Sequence, residues 1–284
     1  MSEVVRSEAD IEDLKKNQIV GDLQMQGSVV SFSGEGNVLY CASSRDVAVD
    51  GPKLRTRLHN AQIRFLGDNS LIMLAPSRWD YHFDVRIFTQ CTFCCGDNYF
   101  NPAGPAMYFN IAEHCNVIMG SGGRVAGSVK LLTSDQHPLY DMSTRERINP
   151  SRSILIGDDT WLGTNASIRK ATQVGTGSTV AADAVLAGKR VPSYTVWGGS
   201  PARQLRANVF SSGMYVDNFT PAETEAKATF GWSRSFCEYD EAETLDFDAI
   251  DAEIRGLPAV RARLERLLPL LDPNVKHRWF VGAQ

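Results

Sequence analysis

From Ile156 the chain reads IGDDTW, LGTNAS, IRKATQ, VGTGST, VAADAV, LAGKRV. The leading residues Ile156, Leu162, Ile168, Val174, Val180 and Leu186 are aliphatic in strict six-residue register. Small residues recur four positions later, at Thr160, Ala166, Thr172, Ser178 and Ala184, and glycine follows the aliphatic at Gly157, Gly163 and Gly175. A helix repeats every ~3.6 residues and a plain strand every ~2, so neither explains this pattern. A parallel β-helix does: each hexad is a short strand plus a turn, and three hexads close one triangular coil of about eighteen residues. The aliphatic is expected inside the prism, the small residue at a crowded corner, and glycine where a tight turn needs positive φ. Stacked coils then bury one continuous core.

Upstream the pattern is blurred but present. SVVSFSGEGNVLYCA and AQIRFLGDNSLIMLA align at an offset of 33, which matches Val30 with Ile63, Phe32 with Phe65 and Ala42 with Ala75. MYFNIAEHCNVIMG (107–120) reads as a further coil, and loops are expected around Gly96–Pro105 and over the non-hexad stretch Pro138–Ser153. The fold class expected is all-β, a left-handed parallel β-helix over residues 26–206. It is preceded by a helical or irregular segment at 1–25, with a short helix at Ile11–Lys16. Residues 207–284 are expected to form a helical extension. Thr220, Pro221 and Glu223 make a capping-box start, and Val260, Leu264, Leu267 and Leu268 fall on one helical face. Plain packing is the first reading of this extension; covering the prism's open end or contacting a neighbouring subunit are the alternatives.

Composition adds limits. At 284 residues, 43% hydrophobic and 22% charged, the chain can bury a large core without staples. The opening residues MSEVVRSEADIEDLKKN carry mixed charge and no apolar run, and the longest apolar run, Leu71–Pro76, is far too short to span a bilayer. A cytoplasmic protein is expected. In such a compartment the six cysteines are free thiols; Cys91, Cys94 and Cys95 lack the second Cys/His pair of a zinc site and read as buried small side chains, with no metal expected. The net charge of −4 argues against a nucleic-acid surface. Yet Arg145–Arg206 holds nine Lys/Arg against four acids, a local excess of +5 that suits either a small polyanionic ligand or a solvated basic face.

The run SDQHPLYD, then RINPSRSILIGDDTWLG, the hexads and VPSYTVWGGSPARQLR resembles the hexapeptide-repeat O-acetyltransferases that modify polysaccharides. The likeness is specific over about 133–206 and looser back to about residue 28; beyond 208 it ends. It implies an acetyl-CoA-dependent transfer to a hydroxyl of a sugar or glycan acceptor, with His137 as general base. Histidine suits proton removal near neutral pH, and His137 stands where the repeat is interrupted. Asp135, Asp141 or a backbone carbonyl is expected to orient its ring. The resemblance further implies Trp161 beside the thioester, a backbone N–H near Gly163 as an oxyanion donor, and pantetheine against Gly163, Ala181 and Ala182. Lys189, Arg190, Gly199, Pro201 and Arg203 are implied near the CoA phosphates and adenine, and a homotrimer is implied with sites between adjacent prisms. For the acceptor, Trp79, Asp80, Tyr81, His82, Tyr99 and Phe100 offer stacking and hydrogen-bonding groups, with ordinary packing an equal alternative for each.

Direct transfer in a ternary complex is preferred to a ping-pong route through Cys94 or Cys95, because no histidine is placed with them. N-acetylation of an amino sugar is the nearest rival. A γ-type carbonic anhydrase needs three clustered histidines, and a nucleotidyltransferase needs an N-terminal nucleotide domain; neither is evident. A non-catalytic β-helix scaffold or carbohydrate-binding protein is disfavoured by the SDQHPLYD and GGSPAR segments.

Overall fold

The structure, a computed structural model, describes residues 2–43, 54–97, 105–231, 243–271 and 278–282. Tyr99, Phe100, Cys237 and His277 lie outside them.

Three sheets form the sides of a prism. The first runs through Val29–Phe32, Gln62–Phe65, Phe83–Ile87, Met107–Ile111, Lys130–Leu132, Ser167–Arg169 and Val185–Leu186, all parallel. Its inward ladder is Val30, Ile63, Val85, Phe109, Leu131, Ile168 and Leu186, each fully buried. The second sheet stacks Gln18–Gly21, Val38–Cys41, Leu71–Leu74, Thr92–Cys95, Asn116–Met119, Ile154–Ile156, Gln173–Val174 and Arg190–Val191. The third holds Arg124–Val125, Trp161–Leu162, Thr179–Val180 and Thr195–Gly199, closed by the antiparallel return strand Ala202–Ala207. The offset of 33 is the strand register itself, since Val30 pairs with Ile63 and Val38 with Leu71.

All six hexad aliphatics and all five small corner residues are fully buried. The glycines act differently from the expectation. Gly157, Gly163 and Gly175 do not take positive φ; a Cβ there would lie 2.5–2.7 Å from atoms of the next coil. They permit close stacking. The left-handed position falls instead three residues after the first five aliphatics, at Asp159, Asn165, Ala171, Gly177 and Asp183, and two residues after Leu186, at Gly188. Asn, Asp and Gly are the residues that tolerate it best.

Parallel strands begin at Gln18, ahead of residue 26, because Gln18–Gly21 buries little and shows no readable alternation. The helix expected at Ile11–Lys16 is a 3₁₀ turn at Glu8–Asp13, whose Ile11 packs on the core.

Helix α1 (Pro221–Ala226) starts with the expected capping box. Helices α2 (Phe247–Gly256) and α3 (Val260–Leu267) lie along the outer side of the second sheet. Ile250, Ile254, Leu267, Leu271 and Trp279 form one cluster with Leu71, Met73, Cys94, Ile118 and Leu155. The extension therefore packs on a flank of its own prism. Buried Arg263 fixes it: its guanidinium donates to Thr92 Oγ1 at 3.0 Å, to the Cys91 carbonyl at 3.2 Å and to the Asn69 carbonyl.

Candidate active site

The chain leaves the first sheet at Leu132 and enters the second at Ile154, and the stretch between projects from their shared corner as a finger. Its arms pair through Ile148 N to Leu139 O and Asp141 N to Glu146 O, both 2.9 Å. Its tip is capped by Asp141, whose carboxylate accepts from the Ser143 and Thr144 amides at 2.8 Å. Asn149 is buried at the base. Its carbonyl accepts from Leu139 N at 2.6 Å; its amide donates to the His137 carbonyl at 2.9 Å and the Asp135 carboxylate at 3.0 Å.

Two ion pairs tie the finger to its neighbours. Lys170, one coil on, reaches Asp135 at 2.5 Å, and this hydrogen bond first, then Asn149, holds the Asp135 carboxyl below its usual range. Arg147 meets Glu113 at 2.6 and 2.9 Å in a bidentate fork that pulls the Glu113 carboxyl down to about 2.

His137 is exposed on the first arm, and its amide donates to the Asp135 carbonyl at 2.9 Å. Among the described residues no group hydrogen-bonds its ring. The expectation that Asp135 or Asp141 orients the imidazole is thus not met within one chain: Asp135 is committed to Lys170 and Asn149, and Asp141 to its own turn.

Trp161 lies elsewhere, 46% exposed on the third sheet, in line with Arg124, Thr179 and Val196. Gly163, Ala181 and Ala182 follow at that sheet's edge with the first sheet, where the turn at Gly199 and Pro201 and the exposed Arg203 also lie. The Gly163 amide is already donated to the Val180 carbonyl at 2.8 Å, so Gly163 itself supplies no oxyanion donor. Lys189 sits at the finger's corner, near Lys170. Arg190 is a correction: it belongs to the second sheet, donates to Gln173 at 3.0 Å and faces Asp248 of α2 at 3.7 Å, away from the third sheet. One chain therefore carries His137 and Trp161 on separate parts of the prism.

Of the acceptor residues, Trp79 is exposed, while Tyr81 is fully buried with its hydroxyl donating to the Ala75 and Gly96 carbonyls. A ring so placed cannot stack on a sugar. Asp80 pairs with Arg57 at 2.5 Å, and His82 Nδ1 is 2.7 Å from the His59 carbonyl. Cys94 and Cys95 are buried, which pushes the Cys94 thiol up to about 12 and removes any thiolate for acyl transfer. Among the described residues no cluster of three His, Cys, Asp or Glu could hold a metal, and no helix is long and apolar enough to cross a membrane.

Sequence reasoning missed Asn149, Glu113 and Lys170. Asn149 had a faint signal, since an Asn–Pro step ends the non-hexad stretch; the other two become neighbours of the finger only through coil stacking.

No protein-family model matches the chain. It is 35% identical over 99 residues to a polysialic acid O-acetyltransferase of Escherichia coli O1:K1 / APEC, covering 35% of this chain and 32% of that protein. It is 30% identical over 114 residues to a polysialic acid O-acetyltransferase of Neisseria meningitidis, covering 40% of this chain and 52% of the relative. The chain thus spans about a third and about half of the lengths of these relatives. The solved structure of the polysialic acid O-acetyltransferase OatWY superimposes with a TM-score of 0.55 at 21% identity, over 74% of this chain and 95% of that one. Fold and sequence together make this chain a left-handed β-helix protein of hexapeptide repeats, similar in sequence to polysaccharide O-acetyltransferases.

Proposed function

We propose that the protein is an acetyl-CoA-dependent O-acetyltransferase acting on a hydroxyl of a sugar or polysaccharide. The observation that carries this reading is the finger: an exposed histidine on a projecting loop whose backbone is held from beneath by Asn149 and flanked by two ion pairs. Rigid scaffolds that present a mobile-proton group in this way serve proton transfer. The similarity to two O-acetyltransferases supports the same chemistry.

In the proposed mechanism His137 removes the acceptor hydroxyl proton as the oxygen attacks the acetyl carbonyl. The tetrahedral intermediate collapses, the C–S bond breaks, and the imidazolium returns its proton to the CoA thiolate. Acetyl passes directly to the acceptor with no acyl-enzyme. Trp161 borders the thioester, and Gly163, Ala181 and Ala182 receive pantetheine. Gly199, Pro201 and Arg203 flank the nucleotide end, and Lys189, at the finger's corner, approaches it from the neighbouring subunit.

We place the site between subunits of a homotrimer in the cytoplasm, where acetyl-CoA is available. The finger exposes Leu139, Tyr140, Ile148 and, at 98%, Met142, while the third sheet exposes Trp161 and Leu205. Apolar side chains left bare on two separate parts of one prism fit burial against a neighbouring copy. Such packing brings His137 of one subunit to Trp161 of the next.

The test is acceptor-dependent CoA release from acetyl-CoA over a panel of sugars, amino sugars and glycan fragments. His137→Ala is expected to reduce it by roughly a hundredfold or more while the folded circular dichroism spectrum is kept. Undiminished release in that variant removes His137 as the base.

A further inference from the structure

After Ala207 the chain turns back as an arm over the corner between the second and third sheets, where Val209 N donates to the Tyr194 carbonyl at 2.9 Å. The Arg124 guanidinium donates to the Ser211 carbonyl at 3.0 Å, and Phe210 meets Phe230 edge to face with centroids 4.8 Å apart. Past these anchors the arm lies in the open: Met214, Tyr215 and Val216 are exposed, and no residue of α1 is buried. Between arm and prism is a cavity of about 710 Å³, lined by Asp159, Tyr194, Phe210, Met214, Lys227 and Phe230. Aromatic and thioether walls of this kind receive apolar side chains well.

The finger is bare as well. It stands at a different corner, between the first and second sheets, and exposes Leu139, Tyr140, Met142 and Ile148. Finger and cavity lie at one height along the prism. The finger interrupts the coil that runs from Lys130–Leu132 through Ile154–Ile156 to Trp161–Leu162, and Asp159 of the cavity belongs to that same coil. A rotation about an axis along the prism preserves height, so the finger of one copy comes level with the cavity of the next. Two unlike surfaces that meet in this way make a head-to-tail contact, the kind that closes into a ring.

We infer that the cavity is a socket for the finger tip of a second copy of this chain, with Tyr140 and Met142 seated against Tyr194, Phe210, Met214 and Phe230. The inference deepens the site between subunits proposed above and rests on that reading for its purpose, which is to bring a neighbour's His137 to Trp161. Reach agrees with it. Met142 follows His137 by five residues, a span of up to about 17 Å on an extended arm, while Asp159 of the cavity precedes Trp161 by two. A finger that sets its histidine beside Trp161 therefore carries its tip over this corner. The opposite edge of the third sheet, around Gly163 and Ala181, bears small residues and is the place given to pantetheine. Charge agrees too: exposed Arg145 and Glu146 at the tip complement Asp159 and Lys227 at the cavity.

The experiment places the photo-cross-linking side chain p-benzoylphenylalanine at position 142 of the full chain and maps its adducts by mass spectrometry. Adducts between chains on the segment 209–230 are expected. Adducts confined to any other surface, or none between chains, overturn the inference. Met142 is 98% exposed, so its replacement leaves the fold intact. Met142→Asp is sedimented in parallel and is expected to weaken assembly by about tenfold or more, with the circular dichroism spectrum kept; assembly as tight as that of the wild type overturns the inference equally. Acceptor-dependent CoA release is measured on the wild type. Protein that cross-links on the arm but transfers no acetyl keeps the socket and removes the transferase. Active protein whose adducts fall elsewhere keeps the transferase and removes the socket.

Discussion

Asn149 is buried beneath the finger with both of its amide groups engaged, holding Leu139, His137 and Asp135 at once. It touches no reacting atom in the proposed mechanism and acts by positioning. Asn149→Ala is expected to lower kcat by about tenfold or more with the KM for acetyl-CoA nearly unchanged, and steady-state kinetics on the two substrates separate these. Asn149→Asp should not rescue, because it sets a second carboxylate beside Asp135. Another residue-scale effect lies at Asp158, where burial raises the carboxyl from 3.8 to about 6. One of its oxygens accepts from Ser121 N at 2.7 Å and the other has no partner. Between those two values the folded protein holds a proton that the unfolded chain has released, so stability falls as pH rises through about 6. Relative to Asp158→Asn, the wild type is expected to lose up to about 3 kcal/mol between pH 4 and pH 8. Urea unfolding at both pH values measures it, and parallel curves for the two proteins would contradict the shift.

At the scale of elements, the flank helices are part of the core rather than an appendage. Trp279 is buried against α2, its carbonyl accepts from the Thr176 amide at 3.2 Å, and the Val281 carbonyl accepts from Ser193 N at 2.8 Å. The end of the extension is thus stitched to the last coils. Trp279→Ala is expected to cost about 3–5 kcal/mol, read as a lower denaturant midpoint for the whole protein; an unchanged midpoint would mean that the extension unfolds on its own. Gly157→Ala is a contrasting case within the coils. Its Cβ would meet the Thr176 amide nitrogen at 2.6 Å, and forcing two coils apart should cost about 1–3 kcal/mol.

The whole molecule raises the question of where one site is assembled. With the second sheet covered by its own helices, the exposed apolar side chains Trp161 and Leu205 among the described residues lie on the third sheet, and Leu139, Tyr140, Met142 and Ile148 on the finger. If finger and third sheet meet between subunits, His137→Ala and Trp161→Ala proteins, each inactive alone, should regain activity when unfolded together and refolded as mixed trimers. Sedimentation should give a trimer. No recovery at any mixing ratio would place the site within one chain.

The hexads made the prism legible from sequence: a buried aliphatic every sixth residue depends only on local strand geometry and a repeated inward direction. The capping box of α1 and the apolar face of α3 were legible for the same reason, being set by residues within a turn of each other. His137, Trp161 and the glycine-rich exit could be named through the resemblance to a known family, and of these His137 also stands at a break in the repeat. Only the tertiary structure decided the partners. It bound Asp135 to Lys170 and Glu113 to Arg147, it buried Tyr81, and it turned Arg190 to α2. It also set Arg124, within the field of Asp159, beside Trp161. Each of these follows from coil stacking or from the return of the chain's last third onto the prism. Such contacts join residues far apart in sequence, and a local pattern carries no record of them.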